Sequence, residues 1–270
     1  VTSTPGQRLD HYLVSAGLAP TRSQAAGLIQ QGVITVNGQV VHKPGKKVAS
    51  DDTVESQADQ QQWASRAGHK LAGALDIFRG IDVKGATCLD AGASTGGFTD
   101  VLLHHGAGHV HAVDVGHDQL VPRLRVDPRV SVYEGLNIRA LSLETLGEPV
   151  EVVVSDLSFI SLTLVLEPLG GVCADGADVM LMVKPQFEVG KKALPKSGVV
   201  TDPQARLQAV TRVVHTAARH GLDPVGLSAS TLPGQDGNRE FFCHAVKRPS
   251  AVSADALADW VRRQNVDWGE

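Results

Sequence analysis

Apolar positions recur every three to four residues in two early stretches. In "GQRLDHYLVSAG", Leu9, Leu13 and Ala16 fall on one helical face, and Gly17 offers a left-handed stop. In "RSQAAGLIQQG", Ala25, Leu28 and Ile29 form a second stripe, with Thr21 or Ser23 to cap it and Gly32 to end it. The pattern then shifts to alternation. "VITVNGQVVH" predicts two short strands joined by Asn37-Gly38, a pair suited to the positive φ angles of a type I′ turn.

From Trp63 onward short apolar runs alternate with segments of helical length. "ATCLDAG", "GHVHAVDVG", "RVSVYEG", "VEVVVSDLS", "ADVMLMVKP" and "DPVGLSAS" are valine-rich, and "REFFCHAV" closes the set. This alternation predicts an α/β domain with a doubly wound, largely parallel sheet, in which ligands sit beyond the carboxyl ends of the strands.

Charge divides the chain at the same place. Through residue 50 the charged side chains are Arg8, Asp10, Arg22, Lys43, Lys46 and Lys47, and the acids Asp51, Asp52, Glu55 and Asp59 follow at once. "SDDTVESQADQQQ" has too few apolar residues to pack and is expected to be a connector. The expected division is a small module over 1–61, a linker over 62–65 and a large domain over 66–270. Three scattered cysteines make neither a disulfide framework nor a metal cluster, so no metal is expected. No run reaches the roughly 20 apolar residues of a membrane span, and the opening "VTSTPGQRLDHYL" lacks the cationic head and apolar core of a leader. A cytoplasmic protein with no membrane partner is expected.

The small module resembles the S4 RNA-binding domain. The resemblance rests on Arg8-Leu9-Asp10, on Arg22-Ser23 with Ala25 and Ala26, and on Gly32 to Gly38. It implies that Arg8, Arg22, Lys43, Lys46 and Lys47 hold phosphates of structured RNA, contacts that position RNA without reading its sequence.

Cofactor chemistry is expected at the first strand end, "LDAGASTGGFTDVLL". Gly92, Gly96 and Gly97 allow a tight turn and a close ligand, but the spacing is not that of a dinucleotide site, and no phosphate-loop lysine follows. Asp90 suits a positively charged ligand, and Asp114, about twenty residues beyond the turn, is placed to accept from ribose hydroxyls. A ribose and a cation together point to S-adenosylmethionine. Candidate contacts are Asp90, Gly92, Ala93, Ser94, Thr95, Gly96, Gly97, Phe98, Asp114, Asn137 and Asp156.

Asp156 and Lys184 end the fourth and fifth strands, while Lys70 in "SRAGHKLAGAL" and Glu240 in "GNREFFCHAV" come from the flanks. In order and strand position these four resemble the Lys-Asp-Lys-Glu tetrad of the FtsJ/RrmJ-like ribose 2′-O-methyltransferases. "RAGHKL", "LDAGASTGGFTD", "DLSFISL", "VKPQFEVG" and "GNREFF" behind an S4 module resemble, more closely, the TlyA family of bacterial ribosomal RNA methyltransferases. The resemblance implies a Rossmann-like class I methyltransferase sheet. It also implies methyl transfer from S-adenosylmethionine to the 2′-hydroxyl of cytidine in 16S rRNA, 23S rRNA or both, within ribosomal subunits, with no DNA partner. Lys184 is expected to act as base or oxygen activator with Asp156 as its partner, and Lys70 and Glu240 as positioners. Arg66 and Phe159 are expected on the RNA side, Phe159 either stacking on a splayed base or filling the core.

Base-directed chemistry is disfavoured. Asp156-Leu157-Ser158-Phe159 lacks the prolines of an amino-directed loop, and Cys88, Cys173 and Cys243 all lie in apolar segments. The remaining alternatives are an RNA-binding assembly factor with an inactive methyltransferase domain and, from a label carried by the family, a haemolytic protein.

Overall fold

The computed structural model describes residues 6–19, 21–49, 51–56, 63–191, 193–250 and 253–269. The chain divides into two compact units, residues 1–66 and 67–270.

In the first unit a two-residue strand, β1 (Gln7–Arg8), leads into helices α1 (Leu9–Ser15) and α2 (Arg22–Gln30). Leu9 and Leu13 of α1 and Ala25 and Ile29 of α2 are fully buried, as the helical spacing requires. Thr21 caps α2, its hydroxyl accepting from the Gln24 N–H at 3.2 Å. The hairpin forms where expected: β2 (Ile34–Val36) pairs with β3 (Gln39–Val40), and Asn37 and Gly38 turn at φ 53° and 74°. Strand β4 (Lys47–Val48) returns to pair with β1.

The acidic connector behaves differently from expectation. Val54–Ser56 forms a strand, β5, antiparallel to β2, with Val54 packed on the core of the unit. One inward valine and a free edge on β2 suffice, because in a strand only alternate side chains need to be apolar. The rest of that segment, 57–62, lies outside the described residues and includes part of the expected linker.

Helix α3 (Arg66–Ile77) starts at the last residue of the first unit and otherwise belongs to the second, where its Leu71, Ala74 and Leu75 are buried. The second unit's seven-stranded sheet is built in chain order from β6 (Thr87–Ala91), α4 (Gly97–His104), β7 (His109–Asp114), α5 (Pro122–Arg125), β8 (Val130–Glu134), α6 (Leu143–Leu146), β9 (Val150–Ser155), α7 (Leu166–Val172) and β10 (Cys173–Val183). Then come α8 (Pro185–Glu188), α9 (Pro203–Arg219), β11 (Leu222–Ala229), β12 (Phe241–Lys247) and α10 (Ala254–Arg263). The spatial order is β11-β12-β10-β9-β6-β7-β8. Strands β6 to β10 run parallel, whereas β12 inserts antiparallel between β10 and β11. Central strands buried on both faces explain the near-continuous Val152, Val153, Val154 and Val179 to Val183 runs. The strand order reverses between β6 and β9, and the crevice expected at such a switch point lies at the carboxyl ends of these two strands.

Candidate active site

Three neighbouring strands deliver charge to one rim. Asp156 follows the last residue of β9, Lys184 follows the last residue of β10, and Glu240 precedes the first residue of β12. Val183 faces Phe241 in the β10–β12 ladder, so one more step of that register sets Lys184 across from Glu240. Pro185 explains why an apolar run ends on a lysine. It has no N–H to continue a ladder and its φ is preset for a helix, so it takes the first position of α8 and leaves Lys184 as the last extended residue.

The four charges form two ion pairs, one buried on both sides and one with a partly exposed carboxylate. Lys184 Nζ lies 2.6 Å from Asp156 Oδ1 and donates to Ser158 Oγ at 2.8 Å. Lys70 comes down from α3 and its Nζ donates to Glu240 Oε2 at 2.6 Å, while Gln186 Nε2 reaches Glu240 Oε1 at 3.5 Å. Helix α3 approaches closely because Gly73 faces Thr231, where a Cβ would stand 2.7 Å from the threonine methyl. Gly234 is equally tight, since its Cβ would lie 2.7 Å from Glu240 Oε1. Lysines are rarely buried; each here is compensated by a carboxylate in contact.

A third carboxylate, not singled out by sequence, holds the two halves together. Glu188 is buried and accepts from the Leu162 N–H at 2.7 Å and from Ser161 Oγ–H at 2.6 Å, which ties the loop after β9 to the helix after Lys184. Burial pushes its carboxyl above the ordinary range, partly offset by those two bonds.

The glycine loop between β6 and α4 turns at Gly92 (φ 91°) and Gly96 (φ 97°). A Cβ on Gly92 would meet the Asp156 carbonyl at 2.8 Å, so only glycine lets this loop lie against the end of β9. Asp114 spans the next gap: Oδ2 accepts from the Ser94 N–H at 2.8 Å and Oδ1 from the Gly116 N–H at 2.7 Å.

These elements enclose two cavities with a common wall. The first, about 590 Å³, is lined by Gly92, Ser94, Asp114, Asn137 and Asp156, with apolar sides from Val115, Leu136 and Ile138. The second, about 710 Å³, is lined by Lys70, Lys184, Gln186, Phe187 and Glu240. Ser158, Phe159 and Ile160 line both. Phe159 is not a core residue: it is 92% exposed, held at φ 63°, and its ring sits 5.2 Å from that of Phe187.

Asp90, Ala93, Thr95, Gly96, Gly97 and Phe98 do not line the first cavity. Asp90 is fully buried beneath the loop, its Oδ2 accepting from both the N–H and the hydroxyl of Thr99, at 2.8 and 2.7 Å. It sits one residue inside the strand and so turns under α4 instead of out at the rim. Burial pushes its carboxyl up to about 7, against the lowering effect of Thr99. Phe98 stacks on Phe242 in the core, and Gly96 is packed against Leu120 and Leu124. Asn137 lines the cavity while its side chain accepts from the Arg139 N–H at 3.0 Å. In the first unit Arg8, Arg22, Lys43, Lys46 and Lys47 are all exposed, and Arg66 opens α3 half-buried.

Comparison with known proteins agrees with this architecture. Residues 63–247 match the model of FtsJ-like methyltransferases and residues 7–54 that of the S4 domain. A Mycobacterium tuberculosis protein named 16S/23S rRNA (cytidine-2′-O)-methyltransferase TlyA is 48% identical over 95% of this chain and 96% of its own. Hemolysin A of Brachyspira hyodysenteriae is 37% identical over 88% of this chain and 99% of its own. The solved structure of a Streptococcus thermophilus protein bearing a hemolysin name superposes with a TM-score of 0.73 at 35% identity, covering 96% of this chain and 95% of that one. Among the described residues no helix is long and apolar enough to cross a membrane. With an FtsJ-like match over most of its length, an S4 domain ahead of it and near full-length likeness to a TlyA protein, the chain belongs to the TlyA family of FtsJ-like methyltransferases.

Proposed function

We propose that the protein transfers a methyl group from S-adenosylmethionine to the 2′-hydroxyl of a cytidine in ribosomal RNA, of the small subunit, the large subunit or both. The observation that carries this reading is the pair of lysine–carboxylate contacts, with Asp156 lining the first cavity and Lys184, Lys70 and Glu240 lining the second. The name of the M. tuberculosis relative supports the substrate class.

The first cavity fits the methyl donor. It has the size of a small-molecule site, and the Asp114 carboxylate lines it together with apolar walls from Val115, Leu136 and Ile138. Asp114 would accept from the ribose hydroxyls, Val115, Leu136 and Ile138 would flank the adenine, and Gly92 and Ser94 with Asp156 would border the methionine portion. When bound, this group would supply an electrophilic methyl on a sulfonium, whose neutral thioether leaves readily with the carbon–sulfur bonding pair. The protein's task is to align the oxygen and remove its proton.

Lys184 lines the second cavity, its partner Asp156 lines the first, and the lysine is assigned to the 2′-oxygen. As base or oxygen activator it draws off the hydroxyl proton while the oxygen–carbon bond forms and the methyl–sulfur bond breaks, and Asp156 and Ser158 hold the nitrogen in place. Lys70 and Glu240 position the incoming ribose in the second cavity, and the exposed face of Phe159 stacks on a base drawn out of its helix. Arg8, Arg22, Lys43, Lys46, Lys47 and Arg66 supply phosphate contacts.

The test is incubation of the protein and labelled S-adenosylmethionine with isolated 30S and 50S subunits, followed by reverse transcription sensitive to 2′-O-methylation. A single cytidine stop per modified subunit is expected. Label in a base, or in neither particle, contradicts the proposal.

A further inference from the structure

Two arginines of the first unit share one buried carboxylate. Arg8 Nε donates to Asp10 Oδ1 at 3.0 Å and its Nη2 to Oδ2 at 2.9 Å, while Arg22 Nη2, twelve residues later, reaches the same Oδ2 at 3.3 Å. The aspartate is 4% exposed, but the two arginine side chains are 50% and 57% exposed. The carboxylate therefore lies beneath, with the guanidinium groups standing outward from it.

The base of this arrangement is rigid. Asp10 Oδ1 also accepts from the His11 N–H at 3.0 Å, and the two arginines hold its carboxyl well below the usual range, the Arg8 hydrogen bonds contributing most. The turn carrying Lys43 and Lys46 docks on the same place: the Leu9 and Asp10 N–H groups donate to the Lys46 and Pro44 carbonyls. Gly45 lies against the Arg8 guanidinium, where a Cβ would stand 3.3 Å from Nη1.

Charge alone gives Asp10 an adverse role on a surface that meets a polyanion. Geometry gives it the opposite one. A guanidinium presents five N–H donors in a planar fork, and Arg8 engages Asp10 through Nε and Nη2 while its Nη1 lies along Gly45. Side chains already held need not be ordered when a phosphate arrives.

We infer that Asp10 is a positioning residue for RNA, which holds Arg8 and Arg22 as a preformed pair of phosphodiester contacts, so that a negative side chain raises affinity for a negative ligand. This rests on the RNA-directed reading of the protein.

The experiment measures binding of the full chain to isolated 30S and 50S subunits over a range of salt, for the native protein, Asp10→Asn and Arg8→Lys. Asp10→Asn removes a negative charge, yet it is expected to bind about tenfold more weakly, with a salt slope shallower by about one phosphate contact. Its KM for subunits in methyl transfer rises while kcat at saturation stays at the native value. Arg8→Lys keeps the exposed charge and gives up the fork, and a loss of about fivefold is expected. Circular dichroism reports whether Asp10→Asn is folded; if it is not, Arg8→Lys decides, since that side chain is exposed. Native or tighter binding by folded Asp10→Asn, or native binding by Arg8→Lys, overturns the inference while leaving the RNA reading in place. A native chain without affinity for either subunit overturns both.

Discussion

Lys184 Nζ lies 2.6 Å from Asp156 Oδ1, a contact between the first residues beyond two adjacent parallel strands. That closeness follows from the fold. Parallel neighbours end on the same side of a sheet, so a side chain just past each strand reaches the same rim. Glu240 arrives there from the opposite chain direction because β12 is antiparallel and begins where β10 ends. Lys70 then closes the set from a helix.

The Lys70–Glu240 pair is buried on both sides, so breaking it from either side leaves a charge without its partner. Glu240→Gln and Lys70→Met are each expected to lower stability by about 3 kcal/mol, and the double variant by clearly less than the sum. Urea unfolding of the four proteins measures the coupling; strict additivity would contradict a direct pair.

Asp90 supplies a pH dependence of definite sign. Its carboxyl is pushed up to about 7, chiefly by burial, so the folded state binds a proton that the unfolded state has already released. Stability from this group is present at acid pH and falls as pH rises from about 4 through about 7. Asp90→Asn keeps an acceptor for Thr99 and carries no charge. Its melting temperature is expected to match the native protein near pH 4 and to exceed it by several degrees near pH 8. Equal melting temperatures at both pH values would contradict this.

Much of the fold was legible because burial on both faces leaves long valine runs and because glycine, asparagine and proline mark the turns. Thr21, Asn37 and Gly38 do what local rules require of them. At the site, strand ends were legible and side-chain direction was not. Asp90 and Asp114 look alike in sequence, yet Asp90 lies one residue inside its strand and turns under α4, while Asp114 is the last residue of β7 and lines the cavity. The pairing of Lys70 with Glu240, 170 residues away, carries no local signal. Glu188 was missed for the same reason, since its partners Ser161 and Leu162 come from another strand's loop. Val54 was missed because a single inward valine among acids does not stand out as a strand.

Gly234 offers a way to disturb Glu240 without touching any charge. A methyl group there would stand 2.7 Å from Glu240 Oε1, and the position has no positive φ that would strain alanine. Gly234→Ala is expected to lower kcat about tenfold while costing about 1–2 kcal/mol of stability, less than Glu240→Gln. Paired kinetic and unfolding measurements check it; native kcat would show that the carboxylate need not stay where it is.

The central claim is that Lys184 acts on the 2′-oxygen, and single-turnover methyl transfer by Lys184→Ala tests it most directly. With S-adenosylmethionine and ribosomal subunits both prebound, and binding of each verified by titration, the rate is expected to fall at least about a hundredfold. A variant that binds both and transfers the methyl group at the native rate would contradict the account.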